Sequence, residues 1–138
     1  MRLRKDAKIE HMRSTALFAD CSKRELAELA MVCDEVTVPA GTTLIREGET
    51  GRELIVLVDG SAQVTRGGKK VTVLGPGDFA GEIALVSAVP RTATIVAATE
   101  LRALVLSDQA FRVALRRVPS IQAKVLEALA RRLAHDAL

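Results

Sequence analysis

The chain has 138 residues, of which 49% are hydrophobic and 27% are charged, and its formal net charge is +3. The length suits one domain of ordinary size, and the composition is that of a globular chain rather than a disordered one. No apolar run approaches the roughly 18 residues that span a bilayer, and the charged start Met1-Arg2-Leu3-Arg4-Lys5 does not resemble a signal segment. We therefore expect a single soluble domain in the cytoplasm.

The charge is unevenly distributed along the chain. Residues 1–24 carry seven basic and three acidic side chains, residues 109–138 carry six and two, and residues 25–108 carry seven and twelve. Basic segments can indicate nucleic-acid binding, but the sequence has three Phe, no Tyr and no Trp to stack on bases. Solvated faces of terminal helices are the simpler interpretation.

Few residues could hold a metal or act as nucleophiles. The only cysteines are Cys21 and Cys33, and the only histidines, His11 and His135, lie near opposite ends of the chain. These are too few for a disulfide framework or a zinc site, and the sequence has no Ser/His/Asp or Cys/His set. The sequence thus predicts no metal, no cofactor and no enzymatic activity.

Glycine divides the chain into three parts. All nine glycines fall between Gly41 and Gly81, which predicts a turn-rich middle between helical ends. A short helix is predicted around residues 5–14, and a second helix follows the capping box of Ser22 and Glu25. Strand candidates rich in Val, Ile and Thr come next, at residues 34–38, 43–46, 53–59, 61–66, 70–74, 91–97 and 101–107.

Two helices are predicted after the last strand. One opens after Ser107 and is interrupted by Pro119, and the other runs from Ser120 to the end. Since the apolar stripe of the last helix ends in basic residues, we expect this helix to have few fixed contacts. Short strands at roughly ten-residue spacing, placed between helices, predict a small barrel or sandwich with helical ends.

One stretch between two strand candidates contains the candidate ligand-binding residues. It contains Gly81, Glu82, a single helical turn of small and apolar residues, and then Arg91. Backbone N–H groups at the start of that turn and the Arg91 guanidinium suit a phosphate, whereas Glu82 would accept a hydroxyl such as that of a ribose. One cation without a Walker motif favours a cyclic monophosphate over a polyphosphate. The spacing alone also allows a salt bridge between Glu82 and Arg91 at a barrel rim.

The segments 76–85, PGDFAGEIAL, and 90–94, PRTAT, closely resemble the phosphate-binding cassette of cyclic nucleotide-binding domains. The resemblance extends through residues 38–41, 46–49 and 57–64 and covers roughly residues 15–135. It implies an α+β fold, in which an eight-stranded β-roll, a jelly-roll-like double-stranded barrel, is flanked by N-terminal and C-terminal helices. We expect one domain over residues 1–138, with helices in 1–33, the roll in 34–107 with its cassette in 77–94, and helices in 108–138.

The resemblance also implies roles for individual residues. Arg91 would pair with the cyclic phosphate, and Glu82 would accept the ribose 2′-hydroxyl. Further ligand contacts would come from Gly81, Ile83, Ala84, Thr92 and Ala93, and the purine would pack on Val64, Thr72 and Leu74. Leu129 and Leu133 of the last helix are the candidates for a lid over the purine. Ala80 departs from the family, because many members have an aromatic residue there, and this departure affects the expected local packing.

The implied function is a regulatory domain that senses a cyclic nucleotide and signals through its last helix. Cyclic AMP is the first candidate ligand and cyclic GMP the second, since Thr92 is compatible with both. We expect a protein effector in trans or in a fused domain. No direct DNA binding is expected, because the chain ends at Leu138 without a helix-turn-helix. The alternative is a degenerate β-roll that binds no ligand and serves as an interaction scaffold.

Overall fold

The computed structural model describes residues 3–85, 87 and 89–136, and the chain forms two compact units. The helical unit comprises residues 1–32 and 109–138, and the sheet unit comprises residues 33–108. Within these described residues, eight strands in two sheets and four α-helices confirm the predicted fold class. Among the described residues, no helix is long and apolar enough to cross a membrane.

Four helices belong to the chain's two ends: α1 (Lys5–Arg13), α2 (Lys23–Val32), α3 (Asp108–Arg117) and α4 (Ser120–Asp136). The predicted capping box is confirmed, because the Ser22 N–H donates to Glu25 Oε1 at 2.7 Å and the Glu25 N–H donates to Ser22 Oγ at 3.2 Å. These two bonds satisfy backbone donors that the first turn of α2 would otherwise leave unpaired.

Glu25 also connects α2 to α4. Its buried carboxylate accepts hydrogen bonds from the Ser120 hydroxyl, at 2.5 Å, and from the Lys124 ammonium. The next helical positions, Ile121 and Val125, are buried as well. The expectation that the last helix has few fixed contacts is therefore wrong for its first two turns.

The sheet unit contains strands β1 (Asp34–Val38), β2 (Thr43–Ile45), β3 (Glu53–Asp59), β4 (Ala62–Arg66), β5 (Lys69–Leu74), β6 (Phe79–Ala80), β7 (Thr94–Ala97) and β8 (Leu101–Ser107). They form two four-stranded antiparallel sheets, with the orders β1-β8-β3-β6 and β2-β7-β4-β5. Apolar side chains from both sheets form one buried cluster that includes Ile55, Leu57, Val64, Ile95 and Ala103. The two sheets therefore pack on one shared core.

Two details near the cassette differ from the sequence prediction. Strand β7 begins at Thr94 and not at Arg91, because the Arg91 N–H donates to the Glu49 carbonyl and its carbonyl accepts from the Gly48 N–H. These bonds join Arg91 to the loop before β3 instead of to a strand ladder. The second difference is the short strand β6, which pairs with Ile55 and Val56 of β3 and was not among the predicted strands.

Candidate functional site

The cassette residues surround a cavity in the sheet unit. It is open to solvent and is lined by Gly81, Glu82, Ile83, Val89, Pro90, Arg91 and Thr92. The 3₁₀ turn η1 (Glu82–Leu85) forms one side of the cavity, at the place where the sequence predicts a single helical turn. The segment 89–92, which leads into β7, forms the other side. The two parts of the cassette thus border one cavity.

Arg91 is fixed at this cavity by its backbone and its side chain. The backbone bonds to Gly48 and Glu49 hold the residue in place, and the side-chain Nη2 donates to the Glu53 carbonyl at 2.8 Å. Burial lowers the pKa of Arg91 from its ordinary value, while the charges of Glu53 and Glu82 raise it. An arginine retains its charge in such surroundings, so the site presents a half-buried cation to a ligand.

Two glycines make room for the Arg91 guanidinium. A Cβ built on Gly51 would overlap Nε and Cζ of Arg91, and a Cβ on Gly81 would come within 2.5 Å of Arg91 Nη1 and of the Glu53 carbonyl oxygen. Gly81 also has a φ of +83°, a backbone conformation that favours glycine. The cation can thus lie against the backbone only because both positions have no side chain.

Glu82 and Ile83, two of the residues predicted to contact a ligand, line the cavity, and their contact with a ligand stays a prediction. Glu82 is half-buried, and Ile83 is 43% exposed although it is apolar. Ala84 lies in the 3₁₀ turn, but its side chain is outside the part that the structure describes. The carboxylate of Glu82 is close enough to Arg91 to influence the pKa of the guanidinium. A cation and a carboxylate therefore face the same small cavity.

Thr92 and Ala93 continue the chain from Arg91 to β7. Thr92 is exposed and lines the cavity, whereas Ala93 packs against the core cluster of the roll. The Thr92 carbonyl accepts a hydrogen bond from Arg66 Nε at 3.1 Å, which ties the end of β4 to the cassette. The Glu47 carboxylate accepts from the Gly67 N–H, and so the turn after β4 is held as well.

The three residues predicted to pack the purine lie on neighbouring strands, outside the cavity lining. Val64 of β4 is directly opposite Thr72 of β5, and Leu74 is opposite Ala62. Val64 is buried in the core cluster, Leu74 is packed against it, and Thr72 is exposed. The structure thus brings these three residues together on one sheet face, and their contact with a purine stays a prediction.

Leu129 and Leu133, the predicted lid residues, lie in α4 of the helical unit. Leu129 is buried, and the Leu133 side chain is outside the described part of the chain. Their action on a ligand is therefore still a prediction.

The structure also places at or near the cavity four residues that the sequence prediction missed. Gly51, the Glu53 carbonyl, Val89 and Arg66 all border the cavity or hold the residues that line it. The glycine content of the turns was a signal for Gly51, but its contact with Arg91 depends on a fold that brings residues 51 and 91 together.

Comparisons with known proteins agree with this geometry. The model of the family described as "Cyclic nucleotide-binding domain" matches residues 35–118. The chain is 30% identical over 129 residues to a CRP-like cAMP-activated global transcriptional regulator of Mycobacterium tuberculosis, covering 90% of this chain and 58% of that protein. The chain thus spans less than two thirds of the length of this relative.

Solved structures of other proteins are also similar to this chain. The N-terminal domain of a transcriptional regulator from Streptomyces coelicolor superposes with a TM-score of 0.84 at 34% identity, covering 91% of this chain and 94% of that one. The regulatory domain of Toxoplasma gondii PKA, crystallised with cAMP, gives a TM-score of 0.73 at 29% identity, covering 80% and 44%. These relatives are regulators or regulatory domains. The family match, the shared fold and the cassette together show that this chain belongs to the cyclic nucleotide-binding domain family.

Proposed function

We propose that this chain is a receptor domain for cyclic AMP and that the cavity beside Arg91 is its ligand site. The observation that carries the proposal is the position of Arg91, a half-buried cation held over Gly51 and Gly81 at the wall of a small cavity. A cyclic phosphate is a compact monoanion that a guanidinium can bind through two parallel hydrogen bonds.

The other cassette residues take complementary parts in this proposal. Glu82 accepts the ribose 2′-hydroxyl, an uncharged donor that suits a carboxylate beside an anion site. Gly81, Ile83 and Ala84 contribute backbone groups, and Thr92 and Ala93 border the phosphate and the sugar. The base extends toward Val64, Thr72 and Leu74, which share one face of the β4–β5 pair.

The relatives favour cyclic AMP over cyclic GMP as the ligand. The Mycobacterium tuberculosis regulator is described as cAMP-activated, and the Toxoplasma gondii regulatory domain was crystallised with cAMP. The first protein is similar to this chain in sequence, and the second is similar to it in fold. Cyclic GMP is the second candidate, because Thr92 is exposed at the cavity and a hydroxyl there can bond either purine.

We further propose that ligand binding is signalled through α4 to a protein effector, in trans or in a fused domain. Leu129 and Leu133 are the residues that would cover the base in the ligand-bound state. A ligand can drive such a change only by as much as it favours one state over the other. The lid contacts would supply that difference in free energy.

The thermal midpoint of the purified chain tests the receptor proposal. A ligand that binds only the folded state contributes about 2.7 kcal/mol at a hundredfold excess over its Kd. For a chain of this length, we expect cyclic AMP to raise the midpoint by about 10 °C. A midpoint that is unchanged at millimolar cyclic AMP and cyclic GMP would reject the receptor and favour a ligand-free scaffold. Adenosine 5′-monophosphate, which lacks the cyclic phosphate, is the control ligand.

A further inference from the structure

A second guanidinium reaches the cassette from the end of β4. Arg66 is the last residue of that strand, and its Nε donates to the Thr92 carbonyl at 3.1 Å. Thr92 lines the cavity and follows Arg91, the proposed phosphate ligand. The Arg66 side chain therefore ends next to the site, although Arg66 does not line the cavity itself.

Strand alternation shows on which side of the site Arg66 lies. Side chains two residues apart in a strand share a face, so Ala62, Val64 and Arg66 point to one side of β4. Ala62 and Val64 are buried in the core cluster, and Val64 is opposite Thr72. Arg66 thus continues the proposed base-binding face of the roll and ends at the cassette.

The chemistry of the guanidinium suits the base of such a ligand. Its hydrogen bond to Thr92 uses Nε, and the fork carries four further N–H donors on its two Nη atoms. Adenine and guanine both present the acceptor N7, which pyrimidines lack. A guanidinium plane can also stack on a base, which matters in a chain with no Tyr and no Trp.

We propose that Arg66 contacts the base of the bound cyclic nucleotide and is a residue that selects purines over pyrimidines. This inference rests on the proposed function, because it requires a cyclic nucleotide at the cassette. The Thr92 carbonyl sets the plane of the guanidinium, and the Nη donors reach the purine N7. A pyrimidine base offers a smaller stacking surface and no acceptor at that place.

The test compares Kd values of the full chain for cyclic AMP, cyclic GMP and cyclic CMP. Arg66→Gln removes the guanidinium, and Lys70→Gln is the matched control, because Lys70 carries the same charge in the same hairpin but pairs with Thr65 on the other face. We expect Arg66→Gln to reduce the purine preference, the ratio of the cyclic CMP Kd to the cyclic AMP Kd, by about tenfold. Lys70→Gln should leave this ratio unchanged.

Two results would overturn the inference while the receptor proposal stands. In one, Arg66→Gln raises the Kd for all three ligands by the same factor, which would show that Arg66 only holds the Thr92 backbone. In the other, the wild-type chain shows no purine preference. A wild-type chain that binds none of the three ligands rejects both proposals together. If the Gln variant does not fold, Arg66→Lys replaces it, because an ammonium keeps the charge but loses the planar fork and should reduce the ratio as well.

Discussion

Arg91 depends on backbone groups that are distant from it in sequence. Its guanidinium is bonded to the Glu53 carbonyl and lies over Gly51 and Gly81, while its backbone is bonded to Gly48 and Glu49. These contacts hold the side chain near one orientation, which reduces the entropy that a ligand would lose by ordering it. An arginine fixed in this way is suited to recognise a single phosphate.

Glu25 is the second residue whose surroundings determine its chemistry. Burial alone would raise the pKa of Glu25, but hydrogen bonds from Lys124, Ser120 and Ser22 outweigh it and lower the pKa to about 2, from an ordinary 4.5. Burial and the nearby Glu25 charge, in turn, raise the pKa of the Cys21 thiol to about 11. Cys21 is therefore a protonated, buried thiol at neutral pH.

The lowered pKa of Glu25 predicts a pH dependence of stability. Since the folded-state pKa lies below the unfolded value, the carboxylate stabilises the fold above pH 4.5, and this stabilisation is lost as the pH falls toward 2. We expect Glu25→Gln to lower the free energy of unfolding at pH 7 by about 3 kcal/mol and to flatten its decrease between these pH values. Urea denaturation at a series of pH values measures both effects.

Glu127→Gln is the control for this experiment. Glu127 forms an exposed ion pair with Arg131 one helical turn away, and such a pair contributes about 0.5 kcal/mol or less. An equal loss in both variants, or an unchanged acid slope in Glu25→Gln, would show that Glu25 does not hold α2 to α4.

At the scale of elements, the sequence predicts best where the signal is local. The capping box of Ser22 and Glu25 and the break at Pro119 locate α2, α3 and α4 from neighbouring residues alone. The start of β7 was predicted three residues early, because Arg91 bonds to a loop more than forty residues before it. Strand β6 has two residues, too few to show alternation. The bounds of β6 and β7 depend on hydrogen bonds to residues distant in sequence, and a local sequence pattern does not show such pairing.

The helix α4 is the element whose response to ligand can be tested. Its first two turns are held to α2 by Glu25, and the predicted lid residues Leu129 and Leu133 lie beyond them. We expect hydrogen exchange of residues 121–138 to slow when cyclic AMP binds, mainly after Val125, because the anchored part is protected in both states. Amides with equal protection in both states would show that α4 is static packing and would reject the lid.

At the scale of the whole molecule, the family resemblance predicted more of the fold than the periodicity did. Alternation and glycine placement indicate an all-β middle with helical ends, but only the cassette segments implied eight strands in a roll. The resemblance also implied that Gly81, Glu82 and Arg91 contact the same ligand. It could not supply the contact of Arg91 with Gly51 or that of Arg66 with Thr92, because these depend on how individual loops of this chain pack.

In the proposed receptor, Arg91 binds the cyclic phosphate and Glu82 binds the ribose hydroxyl. Calorimetric titration of cyclic AMP into the wild-type chain and into Arg91→Ala and Glu82→Ala tests these roles most directly. We expect saturable binding to the wild type, a loss of about 1 to 3 kcal/mol for Glu82→Ala, and no measurable binding to Arg91→Ala, whose loss of a charge partner costs about 3 to 5 kcal/mol. Arg46→Ala, which removes an exposed arginine paired with Glu49, should bind like the wild type. If folded Arg91→Ala binds as tightly as the wild type, or more tightly than Glu82→Ala, these roles for Arg91 and Glu82 are wrong.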